Sequence, residues 1–220
     1  MYDNEERIAR KEKIFEEIYN TFYEDLPEEE QLCIDLEQAI IDIHLTKKID
    51  FGEGILSDYF FQVQHKKTFY TENDLLLVEL YVYCYPPKTD KESEEIFENI
   101  LSKILSQVDY SFNSLAFLLN KILIVAMAIF ELKKQYHRII ELVKASNVIM
   151  QNNLDFSKKP IVDMLEGKYL LFAKDDEATS KEKYLDASKL AKLQGDSFLS
   201  DKIIEEWIKD LESKRSGVNI

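Results

Sequence analysis

The chain is poor in the residues that interrupt helices. Five glycines and four prolines among 220 residues come to about 4%, where an average protein carries about 12%. Sheet-rich folds use both residues in their turns. The shortage therefore argues for long helices with short connections, and it excludes collagen-like and linker-like classes. Cysteine is as scarce: Cys33 and Cys84 both sit in apolar helical patterns, which fits reduced core thiols in a reducing, cytoplasmic setting better than a bridge. Arginine occurs four times, as Arg7, Arg10, Arg138 and Arg215. The longest unbroken apolar run, Ile122–Phe130, has nine residues, well short of the ~20 of a spanning helix, and reads as a buried core helix. The opening MYDNEERIARKEK has no apolar signal region, and no polybasic cluster offers a hold on an anionic membrane, so no membrane partner is expected.

What the sequence has in excess is acid. The formal net charge is −14, and a surface of that sign repels phosphate backbones, so the chain by itself is a poor binder of DNA or RNA. With 45% hydrophobic and 32% charged residues it is too apolar for disorder and suits amphipathic elements around a core.

Helical periodicity runs nearly throughout. A first helix, capped by Asp3 or Asn4, carries Ile8, Ile14, Phe15, Ile18 and Phe22 and stops before Leu26-Pro27. A second starts at Pro27 and runs to about Lys47, with Glu28, Glu29 and Glu30 at its positive end. Phe51-Gly52-Glu53-Gly54 reads as a turn before a third, Glu53–Lys66. Thr71 or Asn73 caps a fourth, which Pro86-Pro87 ends. Further helices are expected over Asp90–Gln107, from Ser111 or Asn113 to Lys133, over Tyr136–Asn152, from Ser157 to about Lys174, over Ser180–Gln194, and from Asp196 or Ser197 to Lys214. A degenerate internal repeat relates Ile122–Asn147 to Met164–Ala191, pairing Ile129-Phe130 with Leu171-Phe172 and Tyr136 with Tyr184. The second copy has tetratricopeptide character in Leu165, Gly167, Tyr184, Ala187 and Ala191, small residues among them letting paired helices approach. The expected fold is all-α: about ten helices as stacked hairpins in a tetratricopeptide-like right-handed superhelix, with an irregular bundle as the alternative.

Motifs of catalysis are missing from the text. His44, His65 and His137 are scattered without metal-ligand spacing, and there is no HExxH, CxxC, phosphate loop or nucleophile elbow. Glu28–Glu30 and Asp175–Glu177 read as solubilising runs. The expectation is a non-enzyme with no metal and no cofactor. The informative constellation lies in the sixth helix, where Asn113, Asn120, Ile124 and Met127 recur at spacings that share one face. Asparagine is a poor interior helix former, and a buried amide must be satisfied. Its side chain both donates and accepts, so it can pair with the C=O and N–H of an extended peptide while apolar neighbours take the side chains. The alternative is that Asn113 caps the helix and Asn120 bridges within the core. Asn152, beside Asn153, is a weaker candidate of the same kind.

The stretches FLLNKILIVAMAIFELKKQYHRIIELV and KYLDASKLAKLQGDSFLSDKIIEEWIKDL resemble the C-terminal domain of the Rgg/GadR/MutR transcriptional regulators of streptococci and their relatives, and the resemblance covers essentially the whole chain. It implies a repeat domain that dimerises and, in the quorum-sensing branch, receives an imported short hydrophobic peptide. It also implies an N-terminal helix-turn-helix that would carry any contact with DNA. That domain is absent from these residues, which suggests a truncated piece of a longer regulator, with 1–25 as a linker-like first helix and 196–214 as a capping helix. An interaction scaffold with no switching role is the alternative function. Two further expectations attach to this reading. Trp207, Ile203 and Leu211 belong to an apolar set wider than one internal partner normally needs, so either one side of the last helix meets a second chain in a homodimer or the helix is a cap whose extra apolar residues are simply core. Arg10, which shares a face with Arg7, either pairs with local glutamates or takes a carboxylate of the bound peptide.

Overall fold

The structure, a computed structural model, describes residues 5–46, 48–66, 68–85, 90–110 and 114–216. Among them are ten helices and no strand: α1 (Glu5–Thr21), α2 (Glu28–Thr46), α3 (Asp50–Gln64), α4 (Glu72–Cys84), α5 (Lys91–Gln107), α6 (Ser114–Leu132), α7 (Ile139–Asn153), α8 (Lys159–Ala173), α9 (Glu177–Leu193) and α10 (Ser197–Ser216). The chain divides into two compact units, one ending at Gln107 and the other beginning at Val108. The expected caps Asp3, Asn4, Ser111 and Asn113, and the expected stop at Pro86-Pro87, lie outside the described residues.

In the first unit α4 is apolar on nearly every side, and both α2 and α3 pack on it. Its start is a capping box: the Thr71 hydroxyl accepts from the Asp74 N–H while the Asp74 carboxylate accepts from the Thr71 N–H. Stacked rings link three helices in sequence, Phe60 with Tyr81 at 4.4 Å and Tyr85 with Phe97 at 4.4 Å between centroids. Buried Gln107 closes the unit by accepting from the Tyr70 N–H (2.9 Å) and donating to the Tyr70 C=O (3.2 Å), so burial leaves its amide satisfied. Phe51–Gly54 is not a turn. It lies inside α3, where an added Cβ on Gly52 would meet Leu80 Cδ1 at 3.0 Å and Cys84 Sγ at 3.1 Å. That glycine serves close helix packing and not a reversal of the chain.

The second unit is built of the hairpins α6–α7 and α8–α9, with α10 laid on α9 and α8. Its joints share one design. Lys134, Leu154, Asp175 and Gly195 adopt left-handed φ of 57°, 53°, 58° and 83°. The next N–H in each case reaches back to a carbonyl of the last helical turn: Gln135 to Phe130 (2.8 Å), Asp155 to Met150 (3.2 Å), Asp176 to Leu170 (3.0 Å) and Asp196 to Ala191 (2.9 Å). Asp155, Asp176 and Asp196 then accept from Ser157, Thr179 and Leu199, opening the segment that follows. The repeat is therefore real, but its register is not the one read from sequence. Tyr136 lies in a 3-10 turn before α7 and stacks on Phe172, whereas Tyr184 is buried well inside α9.

Gly167 lets α8 and α9 touch: Ser180 Oγ donates to its carbonyl (2.8 Å), and the Tyr184 ring covers it. Next to it the Lys168 ammonium, whose side chain is 1% exposed, meets Glu131 of α6 (2.8 Å) and Glu206 (3.0 Å) and Asp210 (2.7 Å) of α10. Burial alone would push the Lys168 pKa down; the Glu131 and Asp210 carboxylates overcome it and hold the amine above its ordinary range. Burial pushes Glu131 up, against the pull of Lys168.

Candidate functional site

Among the described residues α6 is long and apolar enough to cross a membrane, and over half of it is buried in the second unit, as a core helix is. A helix so apolar makes any polar residue within it conspicuous. Asn120 sits in the middle, 5% exposed, and its Oδ1 accepts a short hydrogen bond from the Ser146 hydroxyl of α7. The bond satisfies the oxygen and leaves the amide N–H₂ as the group a ligand can use.

Asn120 opens onto a cavity of about 220 Å³ between α6 and α7. Ala116, Phe117, Ile149 and Met150 give it an apolar wall; Asn153, Asp155 and Lys158 add polar groups. These residues meet because α7 sets Ser146, Ile149, Met150 and Asn153 on one face, three or four apart. The left-handed turn at Leu154 then brings the chain round so that Asp155 and Lys158 complete the lining. Asn153 Nδ2 donates to the Ile149 carbonyl (2.9 Å), which orients its side chain along α7. Phe117 is 45% exposed, and the Lys121 and Lys158 ammonium groups lie 5.5 Å and 5.9 Å from its ring centroid, a positive frame around an aromatic at the mouth. Ligand pockets usually measure about 300–1,000 Å³. This one admits a side chain or two of a larger ligand, whose remainder would lie outside it.

The residues singled out from sequence divide sharply. Asn120 lines the cavity and also makes the core bridge read as its alternative role. Ile124 is half-buried and outside the lining. Met127 is fully buried: it belongs to the packed interior and not to a groove, because α6 has apolar partners around most of its circumference. Asn152 is exposed and outside the lining, and its neighbour Asn153 takes that place. Asn113 lies outside the described residues. Arg10 is on exposed α1, in the other unit, with its guanidinium 3.8 Å from Glu6, the local pairing. The dimer candidates need the same correction. Ile203 is fully buried and Trp207 is 7% exposed, its ring 5.2 Å from that of Tyr184, so both are used up by the chain's own packing; Leu211 is half-buried. Ser146, Asn153 and Lys158 were not legible as a set, although the three-and-four spacing from Ser146 to Asn153 was there to be read.

The described residues have an all-α helical-repeat fold of the tetratricopeptide-like kind. No curated protein matches the chain, but a family does: it belongs to the ComR tetratricopeptide family, whose model matches residues 1–207. ComR from Streptococcus suis is 34% identical, with a TM-score of 0.76 over 96% of this chain and 68% of that one. ComR from S. thermophilus, in complex with DNA and its signalling peptide ComS, is 28% identical, with a TM-score of 0.82 over 94% of this chain and 70% of that one. The competence regulator ComR from Streptococcus vestibularis, in complex with its cognate signalling peptide XIP, is 26% identical, with a TM-score of 0.83 over 94% and 90%. The Rgg/GadR/MutR resemblance agrees with this at the level of a tetratricopeptide-like regulator domain and not at the level of the family's name.

Proposed function

We propose that the chain is the sensor domain of a cytoplasmic, peptide-responsive transcription regulator, and that the α6–α7 cavity anchors a short, extended, mostly apolar signalling peptide. The observation that carries this is Asn120, a nearly buried amide whose oxygen is held by Ser146 and which lines a cavity with an apolar wall. An extended peptide offers a carbonyl to such a donor and a side chain to such a wall, while Lys158 and Asp155 provide one charge of each sign for polar groups or termini. The S. thermophilus and S. vestibularis relatives are each seen with a signalling peptide, ComS and XIP. Contact with promoter DNA is assigned to a separate DNA-binding domain, because a chain of net charge −14 repels phosphate. The peptide acts by binding one arrangement of the regulator better than another.

The test is fluorescence anisotropy with labelled ComS and XIP peptides. Asn120→Ala and, separately, Asn153→Ala each weaken binding by about 1–3 kcal/mol, since a desolvated peptide group loses its partner. The exposed Asn152→Ala leaves it unchanged. Equal affinity in wild type and both cavity variants, with folding verified by circular dichroism, refutes the assignment, as does failure of the wild type to bind either peptide.

A further inference from the structure

The mouth of the α6–α7 cavity carries positive charge from three sources. Lys158 lines the cavity, and its ammonium lies 5.9 Å from the centroid of the Phe117 ring. Lys121, one turn along α6 from Phe117, brings a second ammonium to 5.5 Å from the same centroid. Both lysines are half-buried. Lys158 is also the cap residue of α8, so the positive end of that helix's dipole lies at the mouth, and the first turn of α8 holds no acidic residue to offset it. Among the lining residues one is acidic, Asp155, and its carboxylate already accepts from the Ser157 N–H (3.0 Å). The next lysine along, Lys159, is engaged with Asp163 of its own helix. On a chain of net charge −14 such a concentration of positive charge departs from the sign of the whole, and it stands where the peptide would lie.

Resting on the peptide reading of this cavity, we propose that it takes the last residue of the peptide. That residue's side chain enters against Ala116, Ile149 and Met150, and its free α-carboxylate stays at the mouth between the Lys121 and Lys158 ammonium groups. The size of the cavity and the sign of its mouth select a chain end. A volume of about 220 Å³ admits a side chain or two and no length of backbone. An internal residue in the same place would have peptide on both sides and would offer the lysines neutral amides only. Covering two half-buried ammonium groups without giving them an anion costs solvation that nothing replaces. The amino end of a peptide would bring its own ammonium against theirs. A terminal carboxylate supplies the opposite charge, accepts charge-assisted hydrogen bonds from both lysines, and ends the chain where the cavity ends. Arg10, the candidate for a peptide carboxylate on sequence alone, lies on exposed α1 in the other unit and pairs with Glu6. The two lysines thus set specificity for a free C-terminus, and they discriminate against the same peptide extended beyond its last residue.

Fluorescence anisotropy with XIP and ComS labelled at the amino terminus tests this, each compared as the free acid, as the C-terminal amide and with one glycine added at its C-terminus. On the wild type the amide and the extended peptide bind at least about tenfold more weakly than the free acid, since one removes the carboxylate and the other displaces it. On Lys121→Met/Lys158→Met the free acid falls to the level of the amide, the two differing by less than about twofold, while Lys121→Arg/Lys158→Arg keeps a preference for the free acid. Changing any acidic side chain of the peptide to its amide leaves that preference in place. An amide that binds the wild type as tightly as the free acid overturns the proposal, and this comparison needs no variant to fold. So does a preference that survives unchanged in the folded methionine variant, which would place the carboxylate elsewhere. So does one that disappears with the peptide's acidic side chains, which would make the lysines readers of a side chain. Weaker binding by Asn120→Ala with no effect of amidation removes this proposal and leaves the sensor reading standing; failure of the wild type to bind either peptide in any form removes both.

Discussion

Replacing Gly167 by alanine sets two effects against each other. Alanine in a helix interior is favoured over glycine by about 0.5–1 kcal/mol, which alone would stabilise α8. The new methyl, however, would stand 2.7 Å from both Cδ2 and Cε2 of Tyr184. That ring has nowhere to go: Tyr184 is fully buried, its ring centroid lies 5.2 Å from that of Trp207, and its hydroxyl donates to Asp210 at 2.5 Å. Overpacking of this kind costs about 1–3 kcal/mol. If the ring tilts to escape, it weakens a hydrogen bond to a charged acceptor worth about 1.5–3 kcal/mol. Sterics exceed propensity, and the expected net loss is about 0.5–2.5 kcal/mol, or a Tm lower by about 1–10 °C for a chain of this size. Trp207 is the chain's single tryptophan and sits against Tyr184, so its fluorescence follows the second unit in urea or heat. Gly54→Ala is the control: it too is a helix-interior glycine, but its Cβ meets nothing within 4 Å, so circular dichroism should show a gain of about 0.5–1 kcal/mol. A Gly167→Ala chain as stable as wild type, or more so, refutes the argument that close approach of α8 and α9 holds this glycine in place.

Leu154→Gly should stabilise the chain by about 0.5–1 kcal/mol: a left-handed leucine carries about 1–2 kcal/mol of strain, part of which glycine's greater unfolded-state freedom offsets. Leu154 is 82% exposed, so no packing is lost, and a fall in the urea midpoint would contradict this. Lys168→Met should cost about 3–5 kcal/mol at pH 7, because it strands Glu131, Glu206 and Asp210 without their shared cation. In the wild type, burial works against Glu206 but the Lys168 ammonium holds its pKa below the ordinary value, so its contribution is present above pH ~4.5 and lost as pH falls through its folded pKa. In the variant Glu131 and Glu206 keep their burial and lose the pull of the ammonium, so they take protons more readily folded than unfolded and the stability gap should narrow between pH 7 and pH 5. A gap that stays constant or widens over that range would show that the three carboxylates do not share the lysine.

Sequence and structure agree most closely where the information is local. The Thr71 cap, the short connections and most helix limits follow from residues within a turn of one another. So did suspicion of Asn120, because a polar residue in so apolar a helix stands out whatever it touches. The failures involve contacts distant in sequence. Gly52 reads as a turn residue until Leu80 and Cys84 are seen to press on it. Trp207 and Ile203 look like a surplus apolar face until Tyr184 and its neighbours are seen to occupy that side of α10. Lys168 is one of many lysines in the text, and nothing near it in sequence announces partners at Glu131, Glu206 and Asp210. The α6–α7 cavity was half legible for the same reason: its asparagine could be found, whereas its lysine and aspartate arrive through the left-handed turn at Leu154, a backbone feature leucine does not signal.

The clustering of three carboxylates on one amine has a consequence for how the second unit opens. Peeling α10 away would leave an almost unsolvated ammonium with only Glu131, and would free Tyr184 and Trp207 from each other in the same step. Partial detachment therefore gains little solvent access and forfeits nearly all of the contact. Amide hydrogen exchange should report this as a common opening free energy for the core amides of α8, α9 and α10 around Lys168, Tyr184 and Trp207, a single cooperative foldon in place of a helix fraying from its end. By contrast α1, exposed along most of its length, should exchange early and independently of that block.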